Sequence, residues 1–152
     1  MKLLIVSTVA AAILGTQVLA DPASETAAEI AAASARFDED FNSGDAGRIA
    51  ANFTEDAISL SPGWQFVKGR DGTERMFVAF LKAGFSDKTS TIEDLEIVAD
   101  DTVIEVLWDE VSRTTTSGAI QREYDKNLRV WRRGDDGVWR VHRWSWNSLP
   151  KK

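Results

Sequence analysis

Residues 101–147 read DTVIEVLWDEVSRTTTSGAIQREYDKNLRVWRRGDDGVWRVHRWSWN. Apolar and polar side chains alternate here with a period near two, and short clusters of small, polar and glycine residues interrupt them. Asp100-Asp101 turns into a strand over 103–115. Ser117-Gly118 turns into one over 120–132, and Gly134-Asp135-Asp136-Gly137 into one over 138–147. Breaks this short are hairpin loops, so the strands are expected to be antiparallel neighbours. A further strand around 89–98 leads into them.

Upstream, the period changes to that of helices. Pro22 and Ser24 open a helix whose apolar positions are Ile30, Ala33, Phe37 and Phe41, and Asn42-Ser43-Gly44 stops it. Asp45 caps a short second helix carrying Ile49, Ala50 and Phe53. A strand follows in which Ile58 and Leu60 alternate with Ser59 and Ser61, ended by Pro62-Gly63. Gly69-Arg70-Asp71-Gly72 leads into a third helix with a stripe of Met76, Phe77, Phe80 and Leu81, stopped at Gly84. Helices first and an antiparallel meander after them define an α+β domain, about three helices covering one face of a curved sheet. A cone-shaped space between helix and sheet is where such a domain holds a pocket.

The remaining features narrow the class. The first 20 residues combine Met1-Lys2, an apolar run over 3–14 and Val18-Leu19-Ala20, the pattern of a secretory leader cleaved after Ala20. This predicts a single domain over 21–152, located in the periplasm or secreted, with no membrane attachment after cleavage. The chain has 152 residues, no Cys and one His. Disulfide scaffolds, thiol nucleophiles and multi-imidazole sites are excluded. Its net charge of −6 argues against a nucleic-acid partner. No glycine-rich phosphate loop, metal-ligand spacing or Ser-His-Asp pattern occurs, so neither cofactor nor metal is expected.

Seven stretches carry a resemblance. They are Phe41-Asn42-Ser43-Gly44-Asp45, Phe53-Thr54-Glu55-Asp56-Ala57, Ser61-Pro62-Gly63, Val67-Lys68-Gly69-Arg70 and, at the far end, Val130-Trp131-Arg132-Arg133, Asp136-Gly137-Val138-Trp139-Arg140-Val141 and Trp146-Asn147-Ser148. In this order the chain resembles the nuclear transport factor 2-like superfamily, specifically its SnoaL-like and ketosteroid-isomerase-like bacterial branch. The resemblance implies the cone-shaped α+β fold and a homodimer formed through the sheet. It also lets the isomerase set be checked. The general base is an Asp before the Pro that ends the first strand, and Ser61 stands there. The oxyanion-donating Tyr falls on Phe37, which has no donor. The protonated strand Asp falls at Tyr124-Asp125-Lys126-Asn127, with Lys126 nearest in register and Asp125 one residue away. A steroid isomerase is therefore not expected.

Candidate chemistry is sparse. His142 is the lone imidazole, a general acid or base if it shares a face with Trp144 and Trp146. A bulge near Arg143 would instead group Trp139 and Val141 with those two. Asp109 and Glu110 point to opposite faces, so only one enters a pocket. Glu110 beside Trp108 suits an acid–base role through desolvation. Taking Leu128 and Val130 as core places Tyr124 and Lys126 at the pocket mouth and turns Arg129 and Trp131 outward, toward a second copy. Trp64 is a lid or a packed loop residue, and Trp144 and Trp146 are pocket wall or core. The expected pocket is thus Phe37, Phe41, Ser61, Trp64, Trp108, Tyr124, Lys126, Trp144 and Trp146, with Glu110 and His142 as catalytic candidates. Three functions fit: binding of a small hydrophobic or aromatic molecule, an acid–base isomerase, cyclase or hydratase, or an assembly domain whose pocket is filled by its own Trp residues.

Overall fold

The computed structural model describes residues 22–149; the expected leader and its cleavage site lie outside the described residues. Among the described residues three helices, α1 (Pro22–Asn42), α2 (Ala46–Ala51) and α3 (Gly69–Lys82), accompany six strands. These are β1 (Phe53–Leu60), β2 (Val67–Lys68), β3 (Phe85–Ala99), β4 (Thr102–Thr114), β5 (Ile120–Arg133) and β6 (Trp139–Ser148). The sheet order is β2-β1-β6-β5-β4-β3. The meander β3–β6 is antiparallel throughout, and β1 joins its edge parallel to β6.

Local chemistry sets the element ends. The Asp45 carboxylate accepts the N–H groups of Gly47 and Arg48 and caps α2. Gly84 (φ 89°) turns the chain from α3 into β3, where a Cβ would lie 2.3 Å from the Thr114 carbonyl oxygen. Only glycine fits there.

The helices cover one face of the sheet. Phe37 of α1 lies at its centre and meets Phe53, Phe77 and Trp144 at ring-centroid distances of 5.7, 6.1 and 6.0 Å. Each such ring pair contributes about 0.5–1.5 kcal/mol beyond its buried area.

The facing of β4 and β5 departs from the sequence expectation by one residue. Asn127, Arg129 and Trp131 point under the helices, whereas Leu128 is 44% exposed on the outer face. Trp131 and Arg129, expected on the outside, are both fully buried. Strict pairing of β5 with β4 carries the same shift across, putting Glu105, Leu107 and Asp109 inside and Val106, Trp108 and Glu110 outside. The cause is charge compensation. Arg129 lies 3.4 Å from Glu105 and 3.6 Å from Asp109, and the Trp131 indole donates to Glu105 at 2.8 Å. Paired in this way, charged residues occupy an interior that alternation alone assigns to Leu128 and Val130.

Candidate functional site

A bulge in β3 starts the site. The β3–β4 register shifts between Ser86 and Thr89, and Asp87 takes a left-handed φ of 47°, which an Asp tolerates better than most residues. The kink turns Lys88 under the helices. The last residue of α1 locks it there: Asn42 Nδ2 donates to the Lys88 carbonyl at 2.8 Å, and the Lys88 N–H donates to Asn42 Oδ1 at 2.6 Å. The Lys88 ammonium donates to Asp38 at 2.6 Å, to Asp109 at 2.7 Å and to the Ser90 hydroxyl. All three of its protons are therefore engaged within the protein. Asp109 continues the chain to Arg129, which donates to Ser34 at 3.0 Å and pairs with Glu105.

A cavity of about 80 Å³ opens beside Lys88 and Asp109. Phe41 of α1, Phe80 of α3, Phe85 of β3, Val111 of β4 and Trp144 and Trp146 of β6 supply its apolar lining. The two indoles are stacked with centroids 4.3 Å apart, and Phe80 meets Trp146 edge-on at 5.9 Å. Glu123, Asp125, Asn127 and Ser148 complete the lining. The Trp144 indole N–H donates to Asn127 Oδ1 at 2.8 Å, which fixes the amide's orientation. Asn127 Nδ2 is left without a hydrogen-bond partner, as is Asp125 Oδ1. The Asp125 carboxyl is held above the usual carboxylate range, first by burial and then by the negative Asp109 and Glu123; a hydrogen bond from Ser148 and the nearby Lys88 oppose the shift.

The expected site residues scatter around this arrangement. Phe41, Trp144 and Trp146 line the cavity. Phe37 lies behind them in the core, and Ser61 is buried with its hydroxyl donating to the Met76 sulfur at 3.1 Å. Trp64 stands outside, half-exposed, edge-on to Phe80 at 5.9 Å. Trp108, Glu110, Tyr124 and Lys126 face away from the cavity because of the one-residue shift, and Glu110 pairs with Arg122 at 3.1 Å.

His142 also lies on the outer side. The β5–β6 register jumps from Val130↔Arg143 to Trp131↔Val141, so His142 occupies the bulge. Trp139, Val141 and Trp144 then share the inner face, the second of the two arrangements considered above. Its Nδ1 lies 3.1 Å from the Thr54 hydroxyl and 3.3 Å from Asp56. Burial, then Arg143 and Arg132, lower the imidazole pKa, and the solvent-exposed Asp56 does not reverse this. Neither catalytic candidate reaches the cavity.

Lys88, Asp109, Glu123, Asp125, Asn127 and Ser148 are the polar lining residues the sequence reading did not choose. Asp109 was reachable as the alternative to Glu110, and Asp125 as the alternative to Lys126. Lys88 depends on a bulge that leaves no mark in hydrophobic periodicity.

A SnoaL-like domain model matches residues 34–142. The chain belongs to the SnoaL-like family. No curated protein matches it in sequence. Among solved structures, a ketosteroid isomerase-like protein from Erwinia carotovora atroseptica superposes with a TM-score of 0.73 at 20% identity, covering 82% of this chain and 96% of that one. A protein from Catenulispora acidiphila, solved in complex with S-DNPA, gives 0.68 at 21% identity, covering 82% and 94%. An NTF2-like protein with a cystatin-like fold from Novosphingobium aromaticivorans gives 0.67 at 23% identity, with 86% of each chain covered. At these identities the likeness concerns the fold, and the site must be read from this chain's own residues.

Proposed function

We propose that this SnoaL-like chain is an exported binder of a small aromatic molecule, held between the Trp144–Trp146 stack and Phe41, Phe80 and Phe85. The observation that carries the reading is an aromatic-walled cavity that the protein's own indoles border rather than plug. Trp146 lies flat against Trp144, and Trp64 remains outside against Phe80. Apolar walls with a few convergent polar groups are the usual make-up of a small-molecule site. Acid–base catalysis through Glu110 or His142 does not belong to this reading, since both face outward. Steroid isomerisation does not either, with Ser61 and Phe37 in place of the base and the oxyanion donor. Naphthalene-sized neutral aromatics should saturably quench tryptophan emission. Trp146→Ala should weaken them about tenfold, the scale of one lost aromatic contact, while Trp108→Ala leaves them unchanged. Equal loss in both variants would sink the proposal.

The chain acts outside the cytoplasm once residues 1–20 are removed, and an intact mass beginning at Asp21 is the expected result. A second copy covers the outer face. Val106, Trp108, Tyr124 and Leu128 expose their apolar surface there. Glu110 with Arg122, and Lys126, supply both signs of charge at the edge, so a two-fold related copy can satisfy them. The centre of that dimer is Trp108 and Leu128, in place of Trp131 and Arg129.

A further inference from the structure

Two buried polar atoms on alternate residues of β5 face the same cavity and lack partners, and they are of opposite kind. Asn127 is 3% exposed. Its Oδ1 is engaged by the Trp144 indole, so its Nδ2 offers only donors. Asp125 Oδ1, in the ionised carboxylate, offers only an acceptor. Burying a polar group without a partner is unfavourable, so a ligand able to satisfy both has a selective advantage. Charge narrows the choice further. The cavity lining holds one cation, Lys88, against the carboxylates of Asp109, Glu123 and Asp125. The Lys88 ammonium is already spent on Asp38, Ser90 and Asp109, leaving it no proton for an incoming anion.

Building on the binding role above, we infer that the cavity takes a flat, uncharged or cationic nitrogen heterocycle that presents an N–H donor and a carbonyl acceptor on one edge. The N–H goes to Asp125, the carbonyl oxygen to Asn127, and the ring lies against the Trp144–Trp146 wall. Aromatic carboxylates are rejected by the negative field.

Calorimetric titration of the intact protein near neutral pH with three probes tests this. Quinolin-2-one carries the lactam edge, coumarin is its near-isostere with ring oxygen in place of N–H, and 2-naphthoate is the anion. Quinolin-2-one should bind at least about tenfold tighter than coumarin, and 2-naphthoate weakest, since one hydrogen bond to a charged acceptor is worth at least about that factor. Asp125→Leu should erase the lactam preference and leave coumarin affinity in place. Asn127→Asp keeps an oxygen for the Trp144 indole while removing the donor, and should weaken both carbonyl probes. Equal affinity for quinolin-2-one and coumarin, or tighter 2-naphthoate, overturns the inference and leaves the aromatic pocket standing. No binding of any probe, together with no quenching by neutral aromatics, overturns both.

Discussion

Beside β1 and β6, Phe37, Phe53, Phe77 and Trp144 close the core ring against ring. On the next two strands, β5 and β4, the same inner face is carried by Asn127 and Arg129 and by Glu105 and Asp109. The first region gains from burial and dispersion, with the Trp144 indole N–H the one polar group of these four side chains, satisfied by Asn127. The second is held only because every charge has a counter-charge, and its net contribution is small once desolvation is subtracted. The difference matters for function. The aromatic region supplies the cavity's wall, whereas the ionic region supplies polar groups already fixed in place on β3, β4 and β5.

The comparison breaks or holds most sharply on substitution. Arg129→Leu leaves Glu105 buried and unpaired and should cost about 3–5 kcal/mol. Adding Glu105→Leu should recover a substantial part, because the orphaned charge is gone. Phe77→Ala in the aromatic region should cost a similar 3–5 kcal/mol as a cavity, with no second truncation able to restore it. Urea unfolding measures all of these. An Arg129→Leu cost below about 1 kcal/mol would mean the network is not held as described.

The outer face gives the next largest effect. Trp108→Asp places a charge at the centre of the proposed two-fold contact and should shift sedimentation from dimer to monomer. Stability of the protomer should change by less than about 0.5 kcal/mol, as for an exposed substitution. A wild-type monomer at micromolar concentration would remove the second copy, and the exposed Val106, Trp108 and Leu128 would need another cover.

These two regions also mark how far the sequence was legible. Helix stripes, turn glycines and hairpin spacing gave the α+β order because their signals are local. Phe41 followed from the α1 stripe, and Trp144 and Trp146, left open between pocket wall and core, line the cavity once the His142 bulge is placed. The facing of β4 and β5 was not legible. Alternation assigns apolar residues to the core, yet Val106, Leu128 and Val130 lie on the outer face while the inner one carries mutually paired charges. A one-residue error on β5 passes through the ladder to β4, exchanging Asp109 for Glu110 and Asp125 for Lys126 together. Lys88 needed the positive φ at Asp87, which is a backbone event.

The smallest effect is a pH dependence of opposite sign on the two faces. His142 has its pKa lowered below the ordinary 6.5, mainly by burial. Between its folded value and 6.5 the unfolded chain binds more protons. The stability that His142 contributes is therefore present above 6.5 and is lost as pH falls through its folded value. Asp125 has its pKa raised above 3.8, again mainly by burial. Its contribution is present below 3.8 and is lost as pH rises through the folded value, since the folded state then surrenders a proton it prefers to keep. His142→Gln should thus flatten the acid side of the melting-temperature profile just below 6.5. Asp125→Asn should raise the melting temperature above the folded Asp125 value and leave the profile below 3.8 unchanged. Because the two sites lie on opposite faces of the sheet and share no partner, their effects should add in the double variant. A double variant that departs from additivity would tie the outer bulge to the cavity, and the separation of the two faces would fail at that point.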